Sequence, residues 1–284
     1  MTAAPAVTGS VAVVDPYASD ATASGIRFLH RLNPLSKVAA VLPAMIMLIF
    51  VRDLVTPLCF IVLSYALILV GARIRTRTAV LLFLAVPLGM LAIGLGFSLW
   101  VDAAGVEHTA PFLQIGGWTL FTGALQVGFA TALRLAAILA LALIGGLTTT
   151  GPDLVRASIQ QLHVPYRIGY TALAAYRFVP RFGYELSVIR AAHRVRGHGT
   201  GGMWGGRGPF ARLARGWGYI VPLLAGAIRH AERVALAMDA RAFGAHPTRT
   251  ERHLVPFRTR DIVFIAAFLA VSAAILVITF PWHP

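Results

Sequence analysis

Five long apolar stretches are separated by short charged breaks. Between the fourth and the fifth lies a segment in which apolar positions recur only every three or four residues. The stretches cover roughly 36–51, 54–72, 78–101, 120–147 and 261–280. A helix needs about 20 apolar residues to cross a bilayer, and fewer where the bilayer thins, so each stretch predicts one spanning helix. Only Arg52 and Asp53 separate the first two, which predicts a tight helical hairpin. Pro57 argues against one continuous helix there.

Residues 148–260 read as amphipathic helices. Thr150 before Gly151-Pro152-Asp153 is a helix start with proline in the first turn. A second helix follows Pro165, with Ile168, Ala172, Ala175, Val179, Phe182, Leu186 and Ile189 on one stripe and Arg177 and Arg181 off it. Pro180 predicts a kink. The glycine-rich run 197–208 breaks the pattern. A third helix runs from about 210 to 242, its stripe including Leu213, Trp217, Leu224 and Met238 and its kink expected at Pro222. Two such helices should pack on each other and on the membrane face.

Composition agrees with this pattern. The chain is 57% hydrophobic and 13% charged, where a soluble domain of this size carries nearer a quarter charged residues. The predicted class is an all-α polytopic membrane protein: about five transmembrane helices plus a cytoplasmic pair of long amphipathic helices. Residues 1–26 predict a disordered tail, 27–147 the first four spans, 148–260 a cytoplasmic helical region, and 261–284 the last span and tail. The single cysteine, Cys59, excludes an internal disulfide and reads as a small apolar residue. Lys37 is the only lysine and follows no glycine-rich turn, so the chain cannot form a nucleotide P-loop.

Charge sets the orientation. The segment 148–260 holds 17 of the 25 basic residues and five of the 11 acidic ones. Arg27, Arg31, Lys37, Arg73, Arg75, Arg77, Arg156, Arg249, Arg252, Arg258 and Arg260 all fall beside one end of the spans, whereas the loops 52–53 and 102–119 hold one basic residue and three acidic ones. Basic residues favour the cytoplasmic side. The amino terminus and 148–260 are therefore expected inside, and the carboxyl terminus outside.

Two triplets stand at the ends of the long amphipathic helices: Val195-Arg196-Gly197 and Ala240-Arg241-Ala242. Small neighbours leave a guanidinium unshielded, and its planar fork of donors suits carboxylates or the exposed carbonyls of a partner helix. The helix macrodipole also favours arginine at a carboxyl end, by about 0.3–1 kcal/mol. The recurrence in two matching places argues for docking.

At these residues the chain resembles the transmembrane T component of energy-coupling factor (ECF) transporters. The resemblance runs from about residue 27 and rests on His30-Arg31-Leu32-Asn33-Pro34, Thr148-Thr149-Thr150-Gly151-Pro152-Asp153-Leu154, Arg177-Phe178-Val179-Pro180, Ala192-His193-Arg194-Val195-Arg196-Gly197 and Ala237-Met238-Asp239-Ala240-Arg241-Ala242-Phe243-Gly244. The last two look like the family's paired Ala-Arg-Gly motifs on coupling helices. Val195 replaces a motif alanine and Ala242 a motif glycine. The resemblance implies a non-catalytic subunit of the bacterial cytoplasmic membrane, without cofactor or metal of its own. It implies two ABC-type ATPases as partners and a small membrane S component that binds a vitamin or a transition-metal ion. Arg196 and Arg241 would each dock one ATPase, whose motion would tilt the S component.

Arg134 lies in the fourth stretch, either deep in the membrane as a functional charge or near the outer interface if the span begins later. Asp239 and Glu232 are expected to pair with Arg229, Arg233 or Arg241. His193 and His198 read as a polar helix end rather than metal ligands. Gly89, Gly94, Gly96, Gly145 and Gly146 permit close helix approach, inside the protein or against a partner. A membrane-embedded enzyme holding a lipid or phosphorylated substrate on its basic face is the alternative function; the few, dispersed acidic residues count against it. The apolar stripes fit protein packing better than nucleic-acid binding.

Overall fold

The computed structural model describes residues 28–72, 76–101, 110–115, 118–195, 217–247, 250–251 and 253–281. The tail 1–26 and the glycine-rich run lie outside them. A 3-10 turn (Phe28–Arg31) leads into α1 (Pro34–Phe50), α2 (Val55–Gly71) and α3 (Thr76–Trp100). A two-stranded antiparallel hairpin follows, β1 (Pro111–Ile115) and β2 (Trp118–Phe121). Then come α4 (Thr122–Thr148), α5 (Gly151–Gln161), α6 (Tyr166–Val195), α7 (Ile220–Asp239) and α8 (Thr259–Ile278). The fold is the expected polytopic helical one, and the hairpin is a small addition in the loop before α4. Its signal is local: Gly116-Gly117 stands between two apolar runs, a two-residue hairpin pattern.

Among the described residues, α3, α4 and α8 are long and apolar enough to cross a membrane. The apolar helices α1 and α2 have 17 residues each, about 25 Å, at the lower end of the spanning range. Their many exposed large side chains, such as Ile49, Phe50, Val62 and Val70, suit contact with lipid.

α4 is the central helix. It packs against α3, α2 and α1. It buries a mostly small-residue face that includes Ala132, Ala136, Ala137 and Ala140, which lets neighbouring backbones come close. The main core lies between α1, α2, α4 and α8, around Leu48, Phe60, Ile68, Leu141, Ile144 and Phe268. The expected α1–α2 hairpin does not form as a packed pair. Only residues 51–54 join the two helices, but each packs chiefly on α4 or α8. Both carry apolar side chains all round, so burial on a shared small-residue face outweighs pairing with each other.

The glycines divide into two sets. A Cβ on Gly128 would stand 2.6 Å from the Gly94 carbonyl oxygen and 2.7 Å from the Ser98 nitrogen, and one on Gly94 would stand 3.0 Å from the Phe129 ring. Gly94 and Gly128 therefore serve the α3–α4 contact, whereas Gly89, Gly96, Gly145 and Gly146 face open space. Gly128→Val is expected to cost about 1–3 kcal/mol by forcing α3 from α4. Gly96→Val should stay within about 0.5 kcal/mol of the parent. Thermal unfolding of both in the same detergent checks this contrast.

Candidate functional site

The Arg241 turn is built by a helix terminus. After α7 the backbone closes with Phe243 N–H donating to the Met238 carbonyl (3.0 Å) and Ala242 N–H to the Asp239 carbonyl (2.9 Å). This is a Schellman motif, with Ala242 at φ 54° as its left-handed residue. The motif glycine that Ala242 replaces thus has a conformational reason. Alanine there carries a left-handed penalty, so Ala242→Gly is expected to stabilise the protein by about 1 kcal/mol, read as a higher unfolding temperature. Ala240, Arg241 and Ala242 are all exposed.

The start of α6 clasps this turn. Arg167 Nη2 donates to the Gly244 carbonyl and Tyr166 Oη to the His246 carbonyl (2.6 Å). Phe243 sits edge-on to Tyr166 and Tyr170, with ring centroids 5.6 and 6.4 Å apart. Gly244 adopts φ +92°, and an added Cβ would stand 2.9 Å from Arg167 Nε. The following strand of chain is stitched to α5 and α6. Tyr170 Oη donates to Glu251 Oε2 (2.6 Å), Gln160 Nε2 to the His253 carbonyl (2.8 Å), Val255 N–H to Gln160 Oε1 (2.8 Å) and Gln161 Nε2 to the Val255 carbonyl (2.9 Å). Asn33 Nδ2 reaches the same Val255 carbonyl (3.3 Å). Side-chain hydrogen bonds thus tie the described parts of the segment between the Arg241 turn and α8 to α5, to α6 and to Asn33 before α1.

α6 and α7 run antiparallel. Phe178 stacks on His230 (4.6 Å, 15°), while nearer the end of α6 His193 lies edge-on to Tyr219 (5.2 Å) and Arg190 lies over the same ring at 6.0 Å. Val195, 89% exposed, therefore ends α6 beside the start of α7, and Arg241 lies at the opposite end of the pair. Over the 30 residues of α6 that separation is about 45 Å. The structure sets Val195 and Arg241 at opposite ends of the α6–α7 pair. Arg196 and Gly197 lie outside the described residues, as do His198 and residues 210–216.

The break expected at Pro222 is present: Trp217 and Gly218 are helical, Tyr219 is a turn, and α7 starts at Ile220 with Pro222 in its first turn. α6 runs as one helix through Pro180. Other local expectations change with the structure. Neither Glu232 nor Asp239 comes within 4 Å of Arg229, Arg233 or Arg241; the ion pairs among the described residues are Arg156–Asp153 and Arg181–Glu185. The apolar stripes are only partly covered, with Ile168, Val179, Trp217 and Leu224 exposed.

Below this layer lies a polar junction that sequence reasoning missed. Lys37, 1% exposed, donates through Nζ to the Thr148 carbonyl (2.9 Å) and to Thr149 Oγ1 (3.2 Å), capping the last turn of α4 from α1. Asp261, also 1% exposed, accepts from Asn33 N–H (2.7 Å), Ser36 Oγ (3.3 Å) and Arg258 N–H (2.7 Å). Thr150 caps α5, accepting from Asp153 N–H (3.3 Å). The motifs around Asn33 and Thr150 thus tie α1, α4, α5 and α8 at one end of the bundle. A lone lysine in the first turn of an apolar helix and an aspartate opening another are the signals that could have found it.

Arg134 lies near the middle of α4, a helix of 27 residues. Its Nε is buried with no hydrogen-bond partner among the described residues.

Residues 25–252 match the CbiQ family, described as "Cobalt transport protein". This chain belongs to that family. It is similar to the energy-coupling factor transporter transmembrane protein EcfT of Bacillus selenitireducens, at 28% identity over 270 residues, covering 89% of this chain and 93% of that protein. The EcfT protein of Staphylococcus aureus is 25% identical over 262 residues, with 89% and 93% covered. A putative ABC transporter ATP-binding protein of Bifidobacterium longum is 28% identical over 285 residues; the alignment covers 96% of this chain but 35% of that longer protein. The CbiQ-family chain is accordingly the transmembrane T component of an ECF-type transporter, as its motifs implied.

Proposed function

We propose that α6 and α7 are the coupling helices of this T component, and that Arg196 and Arg241 each dock one of two ABC-type ATPases. A small membrane S component that binds a vitamin or a transition-metal ion completes the transporter. The observation that carries the reading is the Arg241 turn. Its guanidinium is exposed, has no carboxylate within 4 Å among the described residues, and stands on a backbone clasped by three side chains of α6. A rigid, unpaired arginine is suited to a charge-assisted contact with a partner. The wide spacing of Val195 and Arg241 supports two separate ATPase contacts, and the uncovered apolar side chains of α6 and α7 support a further protein partner.

The end of the bundle bearing Arg31, Arg156, Arg258 and Arg260 is assigned to the cytoplasm, which places α5, α6 and α7 there. Hydrolysis of ATP belongs to the partners, and motion at Arg241 reaches α8 and α1 through the stitched segment. Arg134, near the middle of α4 with its Nε unpartnered among the described residues, is assigned to an intramembrane contact with the S component. A mild-detergent pull-down of the tagged protein with mass spectrometry tests the assembly. Two P-loop ATPases and one small polytopic protein are expected, and Arg134→Leu should lose the small protein while keeping the ATPases. Recovery of the folded chain with no ATPase would overturn the reading.

A further inference from the structure

An apolar groove of about 690 Å³ runs between α2, α8 and the 3-10 turn. Its lining is apolar except for two arginines, Arg31 at the end of the 3-10 turn and Arg260 in the first turn of α8. We infer that this groove holds one anionic phospholipid, with its phosphate between Arg31 and Arg260 and an acyl chain along α8. Nothing in the proposed transport cycle uses these residues, so the inference stands apart from the docking assignment.

The dimensions argue for a chain-bearing ligand. The apolar wall on α8 extends to Val271, 11 residues beyond Arg260, or about 16 Å. That is close to half the thickness of a bilayer core of about 30 Å, one leaflet. Leu67 and Leu63 continue the facing wall down α2 in the same direction, away from the arginines. Phe28 and Phe264, with rings 6.2 Å apart, stand near the polar end.

The charge argues for an anion. Both arginines are exposed, and neither has a carboxylate within 4 Å among the described residues. The neighbouring acid, Asp261, is buried, and its two oxygens are taken by Asn33, Ser36 and the Arg258 backbone. Asp261 thus makes no ion pair with either arginine, and both guanidinium groups stay open to a ligand's phosphate. A free phosphate would use the arginines and leave the long apolar wall bare. A transmembrane helix of a partner would use the wall and strand two cations beside it. A phospholipid with a net negative headgroup satisfies both.

The test is retention of lipid by the full chain. The protein is placed in nanodiscs of phosphatidylcholine with a minority of phosphatidylglycerol, released, and read by native mass spectrometry. One phosphatidylglycerol should remain per chain, preferred over phosphatidylcholine by about thirtyfold, since each basic residue near the surface contributes about fivefold. The double variant Arg31→Gln, Arg260→Gln should fall to near parity, and the lysine pair should keep most of the preference. Ala267→Trp, which fills the groove without touching the charges, should lose both lipids. An unchanged preference in the glutamine pair overturns the inference. So does displacement of the lipid by inorganic phosphate, which would mark a bare anion site. Loss of the lipid whenever the S component is co-purified would mark the groove as a protein interface and would overturn it as well.

Discussion

Arg196→Glu combined with Arg241→Glu is expected to abolish co-purification of the ATPases while leaving the chain folded in the membrane. Arg241 is exposed and makes no side-chain ion pair among the described residues, so its replacement should alter stability by less than about 0.5 kcal/mol. At an interface the same charge is costly to remove. Truncating one partner of a hydrogen-bonded charge pair costs about 2–5 kcal/mol, and reversal adds repulsion. Two such losses weaken the complex by roughly a thousandfold or more. Arg241→Glu alone should release the ATPase at one end of the α6–α7 pair and spare the other, because Val195, which ends α6, and Arg241 stand about 45 Å apart on the helix rise. The readouts are ATPase stoichiometry after purification and substrate uptake by cells. A double variant that retains both ATPases and supports uptake would show that the arginines do not dock them.

Asp261→Ala is expected to destabilise the protein by about 4 kcal/mol, more than Lys37→Met or Gly128→Val. It would strand the backbone donors of Asn33 and Arg258, while Ser36 keeps its hydroxyl bond to the Asn33 carbonyl (2.7 Å). Hydrogen bonds to a charged group are worth about 1.5–3 kcal/mol each, and a buried donor without a partner costs about 1–3. Asp261→Asn should lose roughly half as much, because the amide keeps one acceptor oxygen but turns a donor toward one of the two backbone N–H groups. Lys37→Met should cost about 1–3 kcal/mol by uncovering the Thr148 carbonyl at the end of α4. Thermal unfolding in detergent ranks the two aspartate variants and the lysine variant. If the junction transmits motion as proposed, Asp261→Asn should also lower uptake more than it lowers ATPase binding. Equal losses in both would reduce the junction to a structural role.

The helices themselves are written in local sequence. Uninterrupted apolar runs set the spans, because a backbone in lipid must satisfy its hydrogen bonds within the segment. Asn33-Pro34 and Thr150-Gly151-Pro152 set two starts through side-chain caps within three residues of the acceptor. Arg241 is legible for the same reason, since a helix end with small neighbours is a local pattern. The β1–β2 hairpin carries an equally local signal in the sequence, Gly116-Gly117 between two apolar runs, one that a count of apolar runs alone does not register.

What needed the tertiary structure is everything that depends on residues far apart in the chain. Asp261 meets Asn33 across 228 positions, and Lys37 meets Thr148 across 111. No periodicity announces such a pairing. Gly128 and Gly96 look alike in sequence, yet one touches the backbone of a neighbouring helix and the other faces open space. In an apolar span every face can be buried or can meet lipid, so composition cannot rank them. For that reason the sequence by itself determined the elements and the exposed arginine at their end. Only the packing decided that α4 is the centre, that α1 and α2 lean on others instead of each other, and that α6 and α7 run antiparallel, with Val195 at one end of the pair and Arg241 at the other.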